Sequence, residues 1–301
     1  MDNEQERIAF EKAASLARAW HQRSVPTWRS RLVKVFRFHW RYLAYQLSKR
    51  QPRIITAQTF WGAPFRCYLP DYFVTWRYGV LGDPSELALT RYLLTLLKPG
   101  DVFMDVGANC GFYSLLAVHL VGPVGGVHAF EPTPAVFALL ERNALSKQQI
   151  KVSQAAVAEK EGKAHLLVDP VFTVVNSLVS SPGRKGSAVE VQTLTLDAYC
   201  RSASVIPTFI KIDVEGAEER VIEGARGILA QHEPIVSLEI LAENNQAHLR
   251  AAVLLAEMGY SSHRIDESGG LQPVKIDADS IKGYVLQRGG FGNFIFKKLR
   301  A

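Results

Sequence analysis

Three short stretches of the chain set acidic side chains beside turns. They are Asp105-Val106-Gly107-Ala108-Asn109-Cys110-Gly111, Phe130-Glu131-Pro132 and Lys211-Ile212-Asp213-Val214-Glu215-Gly216. In the first, Gly107 and Gly111 let the backbone turn tightly and approach a ligand, and Asn109 tolerates a left-handed conformation. A dinucleotide turn reads G-x-G-x-x-G and aims backbone donors at a pyrophosphate. Here the spacing is G-x-N-x-G, with a carboxylate at Asp105 beside it. That carboxylate repels a pyrophosphate and suits the cationic amino end of S-adenosylmethionine. A plain strand-to-helix turn explains the glycines but not the aspartate. Glu131, 26 residues after Asp105, stands where a carboxylate can accept both hydroxyls of a ribose.

In the third stretch, period-two alternation puts Lys211 and Asp213 on one face of a strand. Methyl transfer from a sulfonium is an in-line displacement that depends on alignment. A hydroxyl acceptor also needs a carboxylate to take its proton, or a metal to lower its pKa. Asp213 is expected to be the catalytic carboxylate, with Glu239, in Ser237-Leu238-Glu239-Ile240-Leu241, as the second. Plainer roles compete: a helix cap for Asp213, first-turn acids for Glu215 and Glu218, an ion pair for Glu239. Carboxylates at neighbouring strand ends could also hold Mg²⁺, but nothing fixes the ligand count, so metal dependence stays open.

These residues need strands to carry them, and the chain supplies an alternation. VFMDVG, GGVHAFEP, IKVSQAAVA, PTFIKIDVEG and PIVSLEIL read as strands. GFYSLLAVHLV, TPAVFALLERNALSK, AEERVIEGARGILAQH and the segment around NNQAHLRAAVLLAEMGY read as helices, with weaker strands near LQPVKI and FGNFIFKKL. Such alternation implies an α/β fold with a mostly parallel sheet, helices on both faces and ligands beyond the carboxyl ends of the strands. Two domains are expected: a basic helical extension with short strands over residues 1–80, and the α/β domain over 81–301.

DVGANCGFYS, HAFEP, VQTLTLDAYC and FIKIDVEGAEERVIEGA, in this order, resemble the FkbM family of class I S-adenosylmethionine-dependent methyltransferases over roughly residues 82 to 241. The resemblance implies a Rossmann-like, seven-stranded sheet and methylation of a hydroxyl on a glycan, glycolipid or secondary metabolite. It implies that Asp105, Gly107, Asn109 and Gly111 line the methionine and ribose side and that Glu131 holds the ribose; Asp213 is expected to contact the cofactor as well as the acceptor. It gives no footing for Glu86, because Ser85-Glu86 stands where family members often carry Tyr-Glu. With no acidic residue directly after the third strand, adenine recognition near Gln154 to Val157 falls to backbone groups.

For the acceptor, Lys211 and Glu215 are candidates, with Asn176 and Ser177 in the loop PVFTVVNSLVSSPGRKG as hydrogen-bonding groups. Arg184 and Lys185 of that loop could meet a phosphate. The Pro-Cys motif of base C5-methyltransferases is absent, and DVEG replaces the Asn-Pro-Pro-Tyr type that serves amino acceptors. Both features disfavour a nucleic-acid substrate.

Charge is unevenly distributed. Between Glu11 and Asp71 there are twelve Lys or Arg and no acidic residue, which leaves 23 basic against 29 acidic residues elsewhere. Within this arm Trp28, Leu32, Val35, Phe36, Trp40, Leu43 and Leu47 recur at helical spacing, opposite Arg31, Lys34, Arg37 and Arg41. Such a helix could dock on its own domain, lie on an anionic membrane surface through residues 18–50, or clamp RNA. Two alternatives follow: an RNA methyltransferase using the arm, or a membrane-surface binding module with an inactive methyltransferase fold. The N-terminus, charged throughout, lacks the apolar core of a signal peptide. The three dispersed cysteines suit reduced thiols, so a cytoplasmic protein is expected, with the arm at the inner face of the membrane as a further expectation. The oligomeric state is not legible.

Overall fold

A computed structural model of the chain describes residues 3–23, 53–69, 71–168, 187–241, 245–275 and 291–298. The helix expected around Trp28 to Leu47 lies outside these residues, as do Asn176, Ser177, Arg184 and Lys185. The chain opens with α1 (Asn3–Arg23), β1 (Arg53–Gln58), β2 (Pro64–Leu69), α2 (Phe73–Tyr78) and α3 (Pro84–Leu96). Next come β3 (Val102–Val106), α4 (Phe112–Val121), β4 (Gly126–Phe130), α5 (Pro134–Ala144), β5 (Ile150–Ser153) and β6 (Ala156–Val157). They are followed by β7 (Gly162–Val168), β8 (Ser187–Leu194), α6 (Leu196–Ala203), β9 (Phe209–Ile212), α7 (Glu218–Glu223) and α8 (Arg226–His232). The last are β10 (Ile235–Leu241), α9 (Asn245–Glu257), β11 (Ser261–Ile265), β12 (Leu271–Pro273) and β13 (Phe291–Lys297).

The main sheet runs β12-β11-β13-β10-β9-β3-β4-β5. The sheet has eight strands rather than the expected seven: β11 is not read from the sequence, and it pairs with β12, the strand expected near LQPVKI. That pairing forms because the Asp266 carboxylate accepts from Ser268 N and Gly270 N, closing a tight turn after β11. Strands β5, β4, β3, β9 and β10 pair in parallel, while β13 runs antiparallel to β10 and β11. Strand order reverses at β3, which lies between β4 and β9 and so marks the switch point for a ligand.

Alternation along the strands divides the core. Phe103, Phe209 and Ile295 point to one face, where they join Leu89 and Leu93 of α3 and Leu116 of α4. Met104, Ile210 and Phe294 point to the other, against Val221, Leu229 and Leu255 of α7, α8 and α9. Helices therefore cover both faces.

The segment read as IKVSQAAVA is two strands in different sheets, since β6 leaves β5 to pair with β8, which also pairs with β7. The single helix expected over AEERVIEGARGILAQH is also two. A Cβ at Gly224 would sit 2.1 Å from the Ala158 carbonyl oxygen. That close approach interrupts the helix, and the Asp197 carboxylate caps the new start by accepting from Gly227 N and Ile228 N.

Helix α1 packs into the same core through Phe10, Ala14 and Ala17, at helical spacing. Glu11 takes a bidentate contact from Arg91, with Nε at 2.6 Å and Nη2 at 2.8 Å. Buried Glu6 meets His119 Nε2 at 2.6 Å. Among the described residues no helix is long and apolar enough to cross a membrane.

Arg91→Leu removes the anchor of α1 and leaves the half-exposed Glu11 to solvent. We expect a loss of about 1–2 kcal/mol, read as a lower urea midpoint, with protease cleavage becoming faster within residues 3–23.

Candidate functional site

The site grows from the register of the central strands. Asp105 on β3 pairs with Lys211 on β9, so both side chains emerge on one face under α3 and α4. Asp105 is fully buried; its Oδ2 accepts from Ser114 Oγ at 2.6 Å. Its Oδ1 lies 4.0 Å from Lys211 Nζ and has no hydrogen-bond partner among the described residues. Burial raises the Asp105 pKa, against the pull of Lys211 and Ser114.

Beyond Asp105 the chain turns sharply. Gly107 N and Ala108 N both donate to the Phe130 carbonyl, tying the turn to the end of β4. Gly107 has φ 80°, and a Cβ there would sit 1.8 Å from the Asp213 carbonyl oxygen. Only glycine fits between these two strand ends. Asn109 is left-handed at φ 49°, with its Oδ1 accepting from Cys110 N and from the Tyr72 hydroxyl at 2.9 Å. Gly111, also left-handed, starts α4.

Glu131 meets this turn directly. Its Oε2 accepts from Asn109 N at 3.0 Å and its Oε1 from Thr133 N at 2.8 Å. Burial pushes its pKa up to about 7, despite these bonds. The Thr133 side chain also bonds this carboxylate, and acceptor capacity is left for a further donor. The expected cofactor residues Asp105, Gly107, Asn109, Gly111 and Glu131 thus surround one turn. Ser153 O, at the end of β5, accepts from Glu131 N, so the backbone near Gln154 adjoins the same place.

At the end of β9, Lys211 Nζ donates to Asp213 Oδ2 at 2.9 Å and sits 5.2 Å from the centre of the Tyr113 ring. Burial opposes its charge, yet Asp213, Asp105 and Glu86 hold its pKa above the ordinary value. Lys211, expected beside the acceptor, is 3% exposed and lies beneath the site on these carboxylates. Burial works to raise Asp213, but Lys211 and a hydrogen bond from Glu239 bring it below the usual range. Glu239 shifts the opposite way: burial and the neighbouring Asp213 charge push it well above the carboxylate range. The two shifts run in opposite directions, as neighbouring acids whose charges repel would show.

Glu215 follows, left-handed at φ 56°. Ligand oxygens of Asp213, Glu215 and Glu239 lie within 4.8 Å of one another. Hard oxygen donors at that spacing could hold a divalent cation such as Mg²⁺.

Sequence reading left out part of this wall. Glu86 Oε2 accepts from the Tyr113 hydroxyl at 2.7 Å, and its Oε1 accepts from Asn293 Nδ2 at 2.9 Å. Asn293 pairs with Glu239 across β10 and β13, and its N donates to Ser85 Oγ. One signal was available: Asn293 is the polar residue that interrupts the apolar run Phe291–Phe296.

The sequence profile of the family described as "Methyltransferase FkbM domain" matches residues 105–262. The 31-O-demethyl-FK506 methyltransferase FkbM of Streptomyces tacrolimicus is 31% identical over 158 residues, covering 42% of this chain and 60% of that protein. The hexuronic acid methyltransferase AglP of Haloferax volcanii is 28% identical over 147 residues, covering 48% of this chain and 58% of the relative. The chain thus spans about 60% of the length of the curated relatives it matches. Among solved structures, methyltransferase FkbM from Methylobacillus flagellatus aligns at 17% identity and a TM-score of 0.42, over 72% of this chain and 56% of that one.

Gly107→Ala forces a Cβ against the Asp213 carbonyl in a backbone region that alanine disfavours. We expect a stability loss above about 2 kcal/mol, measured by denaturant unfolding. Gly122→Ala serves as the comparison: its φ is also positive, but nothing lies within 4 Å of the added carbon.

Proposed function

This chain belongs to the FkbM methyltransferase family, and we propose that it is an S-adenosylmethionine-dependent O-methyltransferase acting on a hydroxyl of a glycan, glycolipid or secondary metabolite. The observation that carries this reading is a pair of buried carboxylates with unused acceptor capacity on either side of one glycine turn. Asp105 Oδ1 has no hydrogen-bond partner among the described residues, and Glu131 keeps acceptor capacity beyond its bonds from Asn109 N, Thr133 N and the Thr133 side chain. Such groups fit a ligand that brings a cation to Asp105 and a ribose diol to Glu131. The names of the two relatives, a 31-O-demethyl-FK506 methyltransferase and a hexuronic acid methyltransferase, support oxygen as the acceptor atom.

When bound, S-adenosylmethionine supplies a methyl group on a positively charged sulfur. The chain's own part is to hold that group and the acceptor in line and to receive one proton. Asp105 and Glu131 fix the donor's two ends. Asp213 and Glu239, each one residue beyond the last β9–β10 pair, face the acceptor side, with Asp213 held toward its ionised form and Glu239 toward its neutral one. Asp213 would receive the proton of the acceptor hydroxyl, whose oxygen would take the methyl group that a bound donor supplies. Lys211 keeps that carboxylate ionised beforehand.

Titration calorimetry with S-adenosylmethionine tests the donor half. Glu131→Ala and Asp105→Ala should each weaken binding by about tenfold or more, and absent binding, or indifference to Glu131→Ala, would refute the reading. Asp213→Asn should retain binding while methyl transfer falls about a hundredfold or more. A mass-spectrometric comparison of glycans and lipids from cells with and without the gene names the acceptor class by the loss of one methyl increment.

Binding should also depend on pH through Glu131. The ionised carboxylate accepts both ribose hydroxyls, whereas the protonated acid has given up an acceptor site. Affinity should therefore rise as pH increases through about 7. Glu131→Gln should flatten that part of the profile.

A further inference from the structure

We propose that Tyr72 and Asn143 are positioning residues for the turn after β3, each acting on the methyl donor through that turn. This rests on the reading of Asn109 and Glu131 as part of an S-adenosylmethionine site. Asn109 is left-handed at φ 49°, a conformation that a non-glycine residue keeps only when its surroundings impose it. Its N–H is also the group that donates to Glu131 Oε2. The tilt of residue 109 therefore bears on where the carboxylate read as the ribose acceptor stands. Two contacts from outside the turn hold that tilt.

Tyr72, just before α2, is buried, with its ring edge-on to Phe65 of β2 at 5.4 Å. Its hydroxyl lies 2.9 Å from Asn109 Oδ1, and Cys110 N lies 2.8 Å from the same atom. A backbone N–H only donates, so the atom it meets is the oxygen of the amide and not its nitrogen. The Tyr72 hydroxyl must then donate as well. Two donors on one oxygen restrain the side chain of Asn109 and, through it, the strained backbone.

Asn143 lies in the last turn of α5 and is also buried. Its Oδ1 accepts from Arg66 N at 2.9 Å. Its Nδ2 donates to Arg66 O and to Cys110 O, both at 2.8 Å. The amide thus pairs with Arg66 as a neighbouring strand would, and its remaining hydrogen goes to the turn. Tyr72 holds residue 109 while Asn143 holds residue 110. Both lines of contact lead to residues 66–72, upstream of the family match, which begins at residue 105. Strand β2 and the start of α2 therefore help to shape the turn, although they carry none of its glycines or acids.

Tyr72→Phe removes one hydroxyl and keeps the ring on Phe65. A residue needed only for folding would lower the urea midpoint and leave the folded protein's affinity for S-adenosylmethionine alone. A positioning residue changes that affinity, and only while residue 109 has a side chain to hold. Titration calorimetry of the full chain with S-adenosylmethionine separates the two. We expect Tyr72→Phe to weaken binding about three- to tenfold, and to have no effect when added to Asn109→Gly, where glycine takes the left-handed turn unaided. Asn143→Asp, which loses both donated bonds, should weaken binding about tenfold or more; should it fail to fold, Tyr72→Phe decides. Should Asn109→Gly bind too weakly to measure, the donor-free protein decides by NMR: the Asn109 amide proton, which reports the bond to Glu131, must shift in Tyr72→Phe. The proposal is overturned if Tyr72→Phe leaves affinity unchanged, if it weakens binding equally in both backgrounds, or if that amide proton does not move. Failure of the functional reading looks different: the wild-type protein then binds no S-adenosylmethionine, and this inference falls with it.

Discussion

A buried ammonium needs compensation, and much of this site follows from supplying it to Lys211. Its Nζ touches Asp213 at 2.9 Å and stands 4.0 Å from Asp105, with the Tyr113 ring above. Removing one partner from a buried charge group strands the others, which costs several kcal/mol. Lys211 therefore binds two strand ends into one electrostatic unit. One end, Asp105, belongs to the turn with the unused acceptor atom. The other, Asp213, faces Glu239. A change in charge on either side is felt by the other through a single ammonium.

Backbone packing makes the same link. The Asp213 carbonyl lies where a Cβ on Gly107 would be, so the turn after β3 and the strand end of β9 interlock without room for a side chain. The Phe130 carbonyl takes two N–H groups from that turn, and Glu131 takes a third from Asn109. Three neighbouring parallel strands thus converge on one loop at the point where strand order reverses. Parallel sheets leave their carboxyl ends without ladder partners. Here those unpaired ends are used on one another.

What was legible in the sequence was local or periodic. Asp105, Glu131 and Asp213 each stand at a strand end marked by a glycine or proline, and period two put Lys211 with Asp213. The break at Gly224 was not legible, because it depends on the Ala158 carbonyl far upstream. Nor were Glu86 and Asn293, partners 207 positions apart. The docking of α1 was missed for a related reason: its seam is largely alanine, and its fixed contacts come from Arg91 and His119 on other helices. Local chemistry survives in a string of residues. Contacts made by folding do not.

The opposed shifts of Asp213 and Glu239 join these parts. Two adjacent carboxyls in a buried site cannot both ionise cheaply, so one keeps its proton. Lys211 decides which, since its ammonium lies on Asp213 and leaves Glu239 to stay neutral. On the proposed function, the pair holds one negative charge, enough to accept one proton from a hydroxyl. A divalent cation within reach of Asp213, Glu215 and Glu239 would reverse this balance. It would favour ionisation of Glu239 and lower the pKa of a hydroxyl bound to it. Both regimes require the two carboxyls to stay adjacent beyond the end of their pairing ladder. The same spacing therefore bears on the proposed proton acceptance whether or not a cation binds.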